Sequence, residues 1–325
     1  MHDFSVLLLR DAFASSVSAT LDLLSAASTV APRLKMPSPR WRVVSPRAGT
    51  VGLSNGMTVR AEPLPRDVED RSVWVVPGLG TDSTTSLESR LAQADARTAS
   101  AALKLHIEHG GRVAASCASV FLLQGAGALA GRRATTAWWL AARLQQLEPR
   151  CTVDADQLIC ADGPIVTGGA AFAHIDLMLH LLQSRFGAPL AEVLRRVMLL
   201  DARQAQAAYV IPSVRAGGDV LMARLTARIE SALPHPPSVS VLAGEFAMSE
   251  RTLARRVRSA GGLTPLALIQ SVRLNRARTL MATTRLPVDQ VAAAVGYEDA
   301  TALRRLMRRC TGSTPSQFRA QRSLG

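Results

Sequence analysis

Residues 112–123 have the sequence Arg-Val-Ala-Ala-Ser-Cys-Ala-Ser-Val-Phe-Leu-Leu, and their pattern changes in the middle. Arg112–Ser116 has the short apolar pattern of a buried strand, whereas the residues from about Ala118 to Ala126 predict a helix. Cys117 lies at the junction, the position that a nucleophile elbow holds out above a sheet. A strand followed at once by a helix indicates an α/β fold.

The same alternation extends over the first 187 residues. The predicted elements are a strand at 4–9, a helix capped by Ser15 or Ser16 and ending near Ala31, strands at Trp41–Ser45 and 72–76, and helices at 87–109 and 171–185. The turn at 161–164 predicts a hairpin or a strand pair. We therefore expect an α/β, flavodoxin-like, doubly wound and mostly parallel sheet with helices on both faces.

Strand patterns stop after Gly187, and the breaker-rich stretch 211–218 marks the strongest boundary. We predict an α/β domain over residues 1–187, a helical linker over 188–219 and an all-α domain over 220–325. A length of 325 residues agrees with two domains.

Positive charge is concentrated in the last third of the chain. The formal net charge is +13, and residues 219–325 contain 16 arginines, no lysine and seven acids. A basic terminal domain favours nucleic acid as a partner. The alternative is a general arginine bias, because Lys35 and Lys104 are the only lysines of the chain.

Composition argues against several other classes. Hydrophobic residues make up 48% of the chain, and no apolar run of roughly 18 residues predicts a membrane span. The amino-terminal residues lack the basic region of a secretory signal. The four cysteines are scattered. His106 and His109 share a predicted helix without a third ligand, and we expect both to be exposed. We expect a cytoplasmic protein without metal or cofactor.

The basic domain contains an internal repeat with an offset of 50 residues. The matched positions are Ala243 with Ala293, Leu253 with Leu303, Arg255 with Arg305, Arg258 with Arg308, Gly262 with Gly312, and Thr264-Pro265 with Thr314-Pro315. Each copy predicts a short apolar helix, a turn and an arginine-rich helix, which is the helix-turn-helix arrangement. The motifs span about 239–260 and 288–310, with Ser249 and Asp299 as N-caps of the second helices.

Residues 265–281 predict one helix between the two motifs. This helix would be about 26 Å long. With the widths of the helical bundles at its two ends added, the arginine-rich helices of the two motifs would lie about 34 Å apart, which is one turn of DNA. The alternative is a helical bundle with a solvated arginine face. Two copies, each with a capped turn, favour DNA binding.

Residues 222–322 resemble the DNA-binding domain of the AraC/XylS transcription regulators. The residues that carry the resemblance are 242–243, 248–256, 262–265, 273–277, 291–292, 295–299 and 311–319. The resemblance implies seven helices, with two helix-turn-helix motifs joined by a long helix. Leu303 and Met307 stand where the family usually has phenylalanine, and we expect both in the core.

The resemblance assigns residues of this chain to DNA contacts. The base-reading residues that it implies are Arg251, Ala254, Arg255, Thr301, Arg304 and Arg305, and the phosphate contacts are Ser249, Arg256, Arg308 and Arg309. An arginine can bond a guanine in bidentate fashion, whereas Ala254 offers only an apolar contact. Phosphate contacts position the protein without specifying sequence.

Residues 4–187 resemble the PfpI-like branch of the class I glutamine amidotransferase-like superfamily, and more narrowly the sensor half of GlxA-type AraC regulators. The residues concerned are 75–78, Cys117, 125–136, 167–169 and 175–181. This chain departs from its relatives at Ala137, where they usually have histidine, and at 11–16, where catalytic members place a glutamate. A thiol without a base is a poor nucleophile. We therefore predict no catalytic residue and no enzyme.

Two interpretations of Cys117 follow from the sequence. A helix N-terminus favours a reactive thiolate, whereas a small buried cysteine at a helix start needs no special role. We predict a ligand pocket at Gly78, Cys117 and Trp138, whose polar end suits a small anion or carbonyl.

The sequence as a whole predicts a transcription regulator that binds promoter DNA and senses an unknown small-molecule effector or a partner. The resemblance implies activation, contact with RNA polymerase and a homodimer formed by the first domain; we expect no membrane partner. The alternative is a cysteine hydrolase or amidotransferase with a DNA-binding tether.

Overall fold

The computed structural model describes residues 2–65, 70–81, 83–155, 157–200, 220–261, 264–311 and 314–315, with 259–261, 282–283 and 309–311 described for the backbone alone. The chain divides into two compact units, Met1–Gln206 and Ala207–Gly325. The boundary predicted at 211–218 lies outside the described residues.

The first unit is built on a mixed sheet. Its strands are β1 (Phe4–Leu7), β2 (Trp41–Ser45), β3 (Gly49–Gly52), β4 (Thr58–Pro63), β5 (Val73–Val76), β6 (Arg112–Ser116), β7 (Arg133–Ala134), β8 (Thr152–Val153), β9 (Ile159–Asp162) and β10 (Ile165–Gly168). Eight strands form one sheet in the order β3-β4-β2-β1-β5-β6-β10-β9. The hairpins β3–β4 and β9–β10 are antiparallel, and the other neighbours are parallel. The predicted hairpin around 161–164 is therefore confirmed.

Helices cover both faces of this sheet. They are α1 (Ala14–Val30), α2 (Thr84–Leu91), α3 (Ala94–Glu108), α4 (Val120–Gly125), α5 (Ala141–Leu147), α6 (Ala173–Phe186) and α7 (Ala188–Val197). Alternate residues of one strand enter opposite cores: Trp74 and Val76 join one cluster, whereas Val73 and Val75 join the other. This alternation is the period of a strand buried on both sides. The predicted doubly wound, mostly parallel sheet is confirmed.

Two local predictions for the first unit differ from the structure. The predicted cap of α1 is wrong, because the helix begins at Ala14 and the buried Ser16 hydroxyl donates to the Ala171 carbonyl instead. The helix predicted at 87–109 is two helices that break at Ala92-Gln93. Within the predicted linker, α7 packs on α1 and α6 and buries Leu190 in the core of the first unit.

The described part of the second unit is helical. Its helices are α8 (Val220–Ser231), α9 (Val239–Glu245), α10 (Glu250–Gly261), α11 (Pro265–Thr283), α12 (Val288–Ala294) and α13 (Ala300–Thr311). Thr264 caps α11, since its hydroxyl accepts from the Ala267 N–H at 3.2 Å. The first half of α11 joins the core of α8–α10, and its second half joins the core of α12 and α13. One long helix thus connects two small cores, as the resemblance implies. A seventh helix would fall after residue 315, outside the described residues.

No helix in the described ranges is long and apolar enough to cross a membrane.

Candidate DNA interface and cysteine elbow

We call α10 and α13 the recognition helices. In α10, the Ser249 hydroxyl accepts from the Thr252 N–H at 3.2 Å, which satisfies one free donor of the helix start and confirms the predicted cap. Leu253 and Val257 are fully buried on one side of the helix, whereas Arg251 and Arg255 are exposed on another. The spacing of four residues places these two arginines on one face.

The second recognition helix, α13, has the same design. One carboxylate oxygen of Asp299 accepts from the N–H groups of Thr301, at 2.6 Å, and Ala302, at 3.1 Å, so this predicted cap is also confirmed. These backbone hydrogen bonds lower the pKa of Asp299 below its usual value. Leu303 and Met307 are fully buried, which confirms them as core positions.

The predicted DNA-contacting residues lie on the accessible sides of both recognition helices. The exposed ones are Ser249, Arg251, Arg255, Arg256, Thr301, Arg304, Arg305 and Arg308. Ala254 is half-buried, and the side chain of Arg309 lies outside the described part of the structure. The division of these residues into base readers and phosphate contacts stays a prediction.

The hydrogen bonds of the two turns correct the repeat alignment. Met248 N–H donates to the Ala243 carbonyl in the first turn, and Tyr297 N–H donates to the Ala292 carbonyl in the second. Ala243 therefore corresponds to Ala292 and not to Ala293, which is exposed. In the corrected alignment, the two copies are offset by 49 residues in the first helix of each motif and by 50 residues in the second helix. The offset changes because the second turn is one residue longer than the first.

Arg273, on α11 between the two small cores, holds the second turn in place. Its Nε donates to the Val295 carbonyl at 2.7 Å, and its Nη2 donates to the Gly296 carbonyl. Its guanidinium carbon lies 3.5 Å from the ring centroid of Tyr297. Arg273 lies in one of the stretches that carry the family resemblance, but the resemblance implies no role for it. No local signal in the sequence predicts its contact with the second turn.

In the first unit, three sequence motifs converge on Cys117. Cys117 has a left-handed φ of 54° at the end of β6, which is the strained turn expected of an elbow. Its N–H donates to the Gly169 carbonyl at 2.9 Å, and its carbonyl accepts from the Thr136 hydroxyl at 2.7 Å. The glycine pair and the Ala-Thr-Thr motif thus hold the elbow in place.

The Cys117 side chain is buried, which favours the second interpretation of this residue. It is 7% exposed, and burial raises the pKa of its thiol to about 11, although the hydrogen bond from the Ala118 N–H opposes that shift. A Cβ added to Gly78 would lie 3.2 Å from the Cβ of Cys117, so the two residues are close neighbours. Trp138 is buried against Trp139, with ring centroids 5.1 Å apart. A pocket formed by these residues stays a prediction.

A buried histidine that the sequence did not single out lies beside the elbow. His174 Nε2 is 2.6 Å from the Thr20 hydroxyl, and Nδ1 is 2.8 Å from the Ser116 hydroxyl. Thr20 already donates its one hydrogen to the Ser16 carbonyl, so Nε2 carries the proton and Nδ1 accepts from Ser116. Burial lowers the pKa of His174 to about 4. Both ring nitrogens are occupied, so this imidazole is not free to act as a base for Cys117.

His106 on α3 and His109, which directly follows this helix, do not share one exposed face. His106 is buried and stacks on Trp74 with ring centroids 4.6 Å apart, whereas His109 is exposed and its Nδ1 bonds the Leu105 carbonyl. The expectation that both are exposed is therefore wrong for His106. Among the described residues, no group of three or more histidine, cysteine or acidic side chains is arranged to hold a metal.

The two units define a class of protein in which an α/β domain with a cysteine elbow precedes a double helix-turn-helix domain. The model of the DJ-1/PfpI family matches residues 26–184, and that of a helix-turn-helix domain matches residues 242–321. The chain therefore contains a DJ-1/PfpI domain followed by an AraC-type helix-turn-helix domain, which confirms both resemblances.

Similar proteins include two curated regulators and one solved structure. The chain is 28% identical to the HTH-type transcriptional regulator CdhR of Pseudomonas aeruginosa, over 86% of this chain and 82% of that one. It is 26% identical to the HTH-type transcriptional regulator GlxA of Rhizobium meliloti, over 96% and 94%. The fold of an AraC family transcriptional regulator from Pseudomonas putida matches 61% of this chain and all of that chain, with a TM-score of 0.51 and 19% identity.

Proposed function

We propose that the protein is a sequence-specific transcription regulator, acting as an activator in the cytoplasm, whose first domain senses a small ligand or partner. The observation that carries this proposal is the pair of recognition helices. Each is capped at its turn, buries one apolar side and exposes arginines on another. Arginines on a helix of this kind can contact base edges and phosphates in the major groove.

Two successive recognition helices in one chain favour a specific site over general attraction to DNA. A net charge of +9 in residues 219–325 would attract any duplex, and that attraction weakens as salt increases. Two spaced helices add a geometric requirement, because half-sites must lie about one helical turn apart. We propose promoter DNA, RNA polymerase and an effector as partners, and a homodimer formed by the first domain.

We propose a sensing role for the first domain in place of an enzymatic one. A protonated, buried thiol is a poor nucleophile, and the imidazole of His174 beside the elbow is engaged by Ser116 and Thr20. If the alternative of a cysteine hydrolase held, Cys117→Ala would abolish measurable hydrolase turnover. We expect no such turnover in the unmodified protein.

The experiment that tests the proposal is selection of DNA sites from a random pool by the full-length protein. We expect an enriched site with two half-sites whose centres are about 10 base pairs apart. Mapping of bound sites across the genome would then indicate the regulated genes. A pool without any enriched sequence would contradict the proposal and indicate a nonspecific DNA-binding protein.

A matched pair of variants separates recognition from charge. Arg304→Ala removes an exposed arginine of α13, and Arg276→Ala removes an exposed arginine of α11, outside both recognition helices. Both lower the net charge by one, but we expect only Arg304→Ala to change the selected sequence. An identical change of the selected sequence in both variants would contradict the proposed interface.

A further inference from the structure

A cavity of about 360 Å³ opens in the first unit at the carboxyl edge of the parallel strands. Its polar lining includes Arg10, which follows β1, Ser45, which ends β2, Arg47, Thr50 on β3, and Gln93 and Asp95 at the start of α3. The chain crosses from β2 on one side of β1 to β5 on the other, so β1 marks a switch point. Ligands of doubly wound folds bind at this edge, beside such a point.

Buried hydrogen bonds fix the walls of this cavity. The guanidinium of Arg90, which is 5% exposed, donates to the Arg10 carbonyl at 2.8 and 3.0 Å. The same guanidinium binds both carboxylate oxygens of Asp95, at 2.7 and 2.9 Å. Asp11 N–H donates to the Gly52 carbonyl at 2.9 Å. The cavity is therefore preorganised, which lowers the entropy that a ligand would lose on binding.

The charges of the lining favour an anion. Burial alone would raise the pKa of Asp95, but the hydrogen bonds and charge of Arg90 outweigh burial and lower it. Asp95 is the one acid in the lining, and Arg90 neutralises it. Arg10 has an exposed partner, Asp11, at 3.7 Å, and among the described residues Arg47 has no acid within ion-pair distance. The cavity thus carries a cationic excess.

The start of α3 adds hydrogen-bond donors to the same wall. Gln93, the N-cap, makes no side-chain capping bond, and Gln93, Ala94 and Asp95 all line the cavity. The first N–H groups of a helix lack partners within the helix and carry partial positive charge. These donors supplement the two arginines, whose planar groups match a carboxylate in bidentate fashion.

We propose that this cavity binds a small molecule with a carboxylate group and is the effector site of the first domain, an inference that rests on the proposed regulatory function. Its volume lies near the lower end of ligand pockets, about 300–1,000 Å³, and so suits a small metabolite. None of the residues predicted for the pocket at the elbow, Gly78, Cys117 and Trp138, lines it.

The test uses calorimetry on the full-length protein with acetate, succinate and citrate as probes, at constant ionic strength. Succinamide and inorganic phosphate are the comparison ligands. We expect at least one carboxylate to bind, succinamide not to bind, and Arg47→Gln to weaken carboxylate binding about tenfold or more, as loss of a charge-assisted hydrogen bond implies. Arg10→Gln should weaken it as well. Arg33→Gln, which removes an exposed arginine elsewhere in this unit, should leave binding unchanged.

Several results would overturn the proposal. They are the absence of binding by all three carboxylates, equal binding of succinamide, binding of phosphate alone, or unchanged binding in both arginine variants. Carboxylate binding that leaves DNA affinity unchanged would overturn the effector role. The calorimetric test of the cavity uses no DNA, so it is independent of the DNA selection. If the selection failed while carboxylates still bound, the proposed regulatory function would be overturned but the proposed carboxylate site would not.

Discussion

The guanidinium carbon of Arg273 lies 3.5 Å from the ring centroid of Tyr297, so the long helix α11 directly contacts the turn that precedes the second recognition helix. The same guanidinium bonds the carbonyls of Val295 and Gly296, which follow the last residue of α12. A cation at a helix C-terminus is favourable, and a charged donor satisfies carbonyls that the helix leaves free. Arg273 therefore fixes the position of the second helix-turn-helix motif relative to α11.

Arg273→Ala should loosen the second turn. The variant loses two charge-assisted hydrogen bonds and one cation–π contact, which together stabilise the turn by roughly 1–3 kcal/mol. Hydrogen–deuterium exchange of full-length protein should show faster exchange in a peptide that covers 288–299. Arg276→Ala, on an exposed position of the same helix, is the control. Equal exchange in wild type and Arg273→Ala would contradict the proposed positioning role.

The two turns should respond in opposite ways to exchange of alanine and glycine. Ala247 has a φ of 52° and Gly296 a φ of 82°, and the hydrogen bonds of the turns make the two positions equivalent. A left-handed alanine costs about 1–2 kcal/mol, so Ala247→Gly should be neutral or stabilising. Gly296→Ala adds this strain, and its Cβ would also collide with the Pro234 carbonyl. We expect destabilisation of more than about 2 kcal/mol.

Thermal unfolding of the full-length protein, followed by the helical circular dichroism signal, would compare the two turn variants. If the Gly296→Ala protein unfolded at the same temperature as the Ala247→Gly protein, the predicted collision of the added Cβ with the Pro234 carbonyl would be contradicted.

Arg255 and Arg256 are neighbours on α10 with different predicted roles. Arg255→Ala should cost about 1–3 kcal/mol and relax the preference at one base pair, whereas Arg256→Ala should weaken binding to all sequences and reduce the salt slope by about 1. Gel-shift titrations at several salt concentrations, on the selected site and on single-base variants, measure both effects. Equal loss on every sequence after Arg255→Ala would make that residue a phosphate contact.

Cys117 should react slowly with alkylating agents. Burial raises the pKa of its thiol from 9.0 to about 11, so at pH 8 it holds about 100-fold less thiolate than an ordinary cysteine. Mass spectrometry of the Cys117 peptide after iodoacetamide treatment measures the rate, and the same peptide in urea is the control. The native rate should rise about tenfold per pH unit between pH 8 and 10. Labelling of native protein as fast as in urea would indicate a reactive thiolate.

His174 should make the first unit less stable in mild acid. Its pKa is 6.5 when unfolded and about 4 when folded, because burial disfavours the charged imidazole. Between these values the unfolded state binds more protons, so stability present above pH 6.5 is lost as the pH falls. The loss from pH 7.5 to pH 5 should be about 2 kcal/mol.

Tryptophan fluorescence isolates this effect, since all four tryptophans lie in the first unit. The difference in unfolding free energy between the two pH values should shrink in His174→Gln and persist in His109→Gln, which alters an exposed histidine. An unchanged difference in His174→Gln would assign the acid sensitivity to other groups.

Sequence patterns predicted the features that depend on neighbouring residues in the chain. β2 and β6 were predicted with their observed bounds, and α11 within two residues at its end, because short apolar runs and a proline start are local signals. Ser249 and Asp299 were recognisable as caps for the same reason. The edge hairpin β3–β4 was missed, since its strands are half exposed and carry little apolar pattern.

The sequence by itself determined the two kinds of domain, the position of the cysteine elbow and the arginines of the recognition helices, because these follow from periodicity, capping and local charge. Tertiary structure decided the burial and the contacts of each of these side chains. Folding buries Cys117 and raises the pKa of its thiol, brings His174 to Ser116 from 58 residues away, and places Arg273 against Tyr297. Burial and contacts between distant residues depend on the packed chain, so no local pattern contains them.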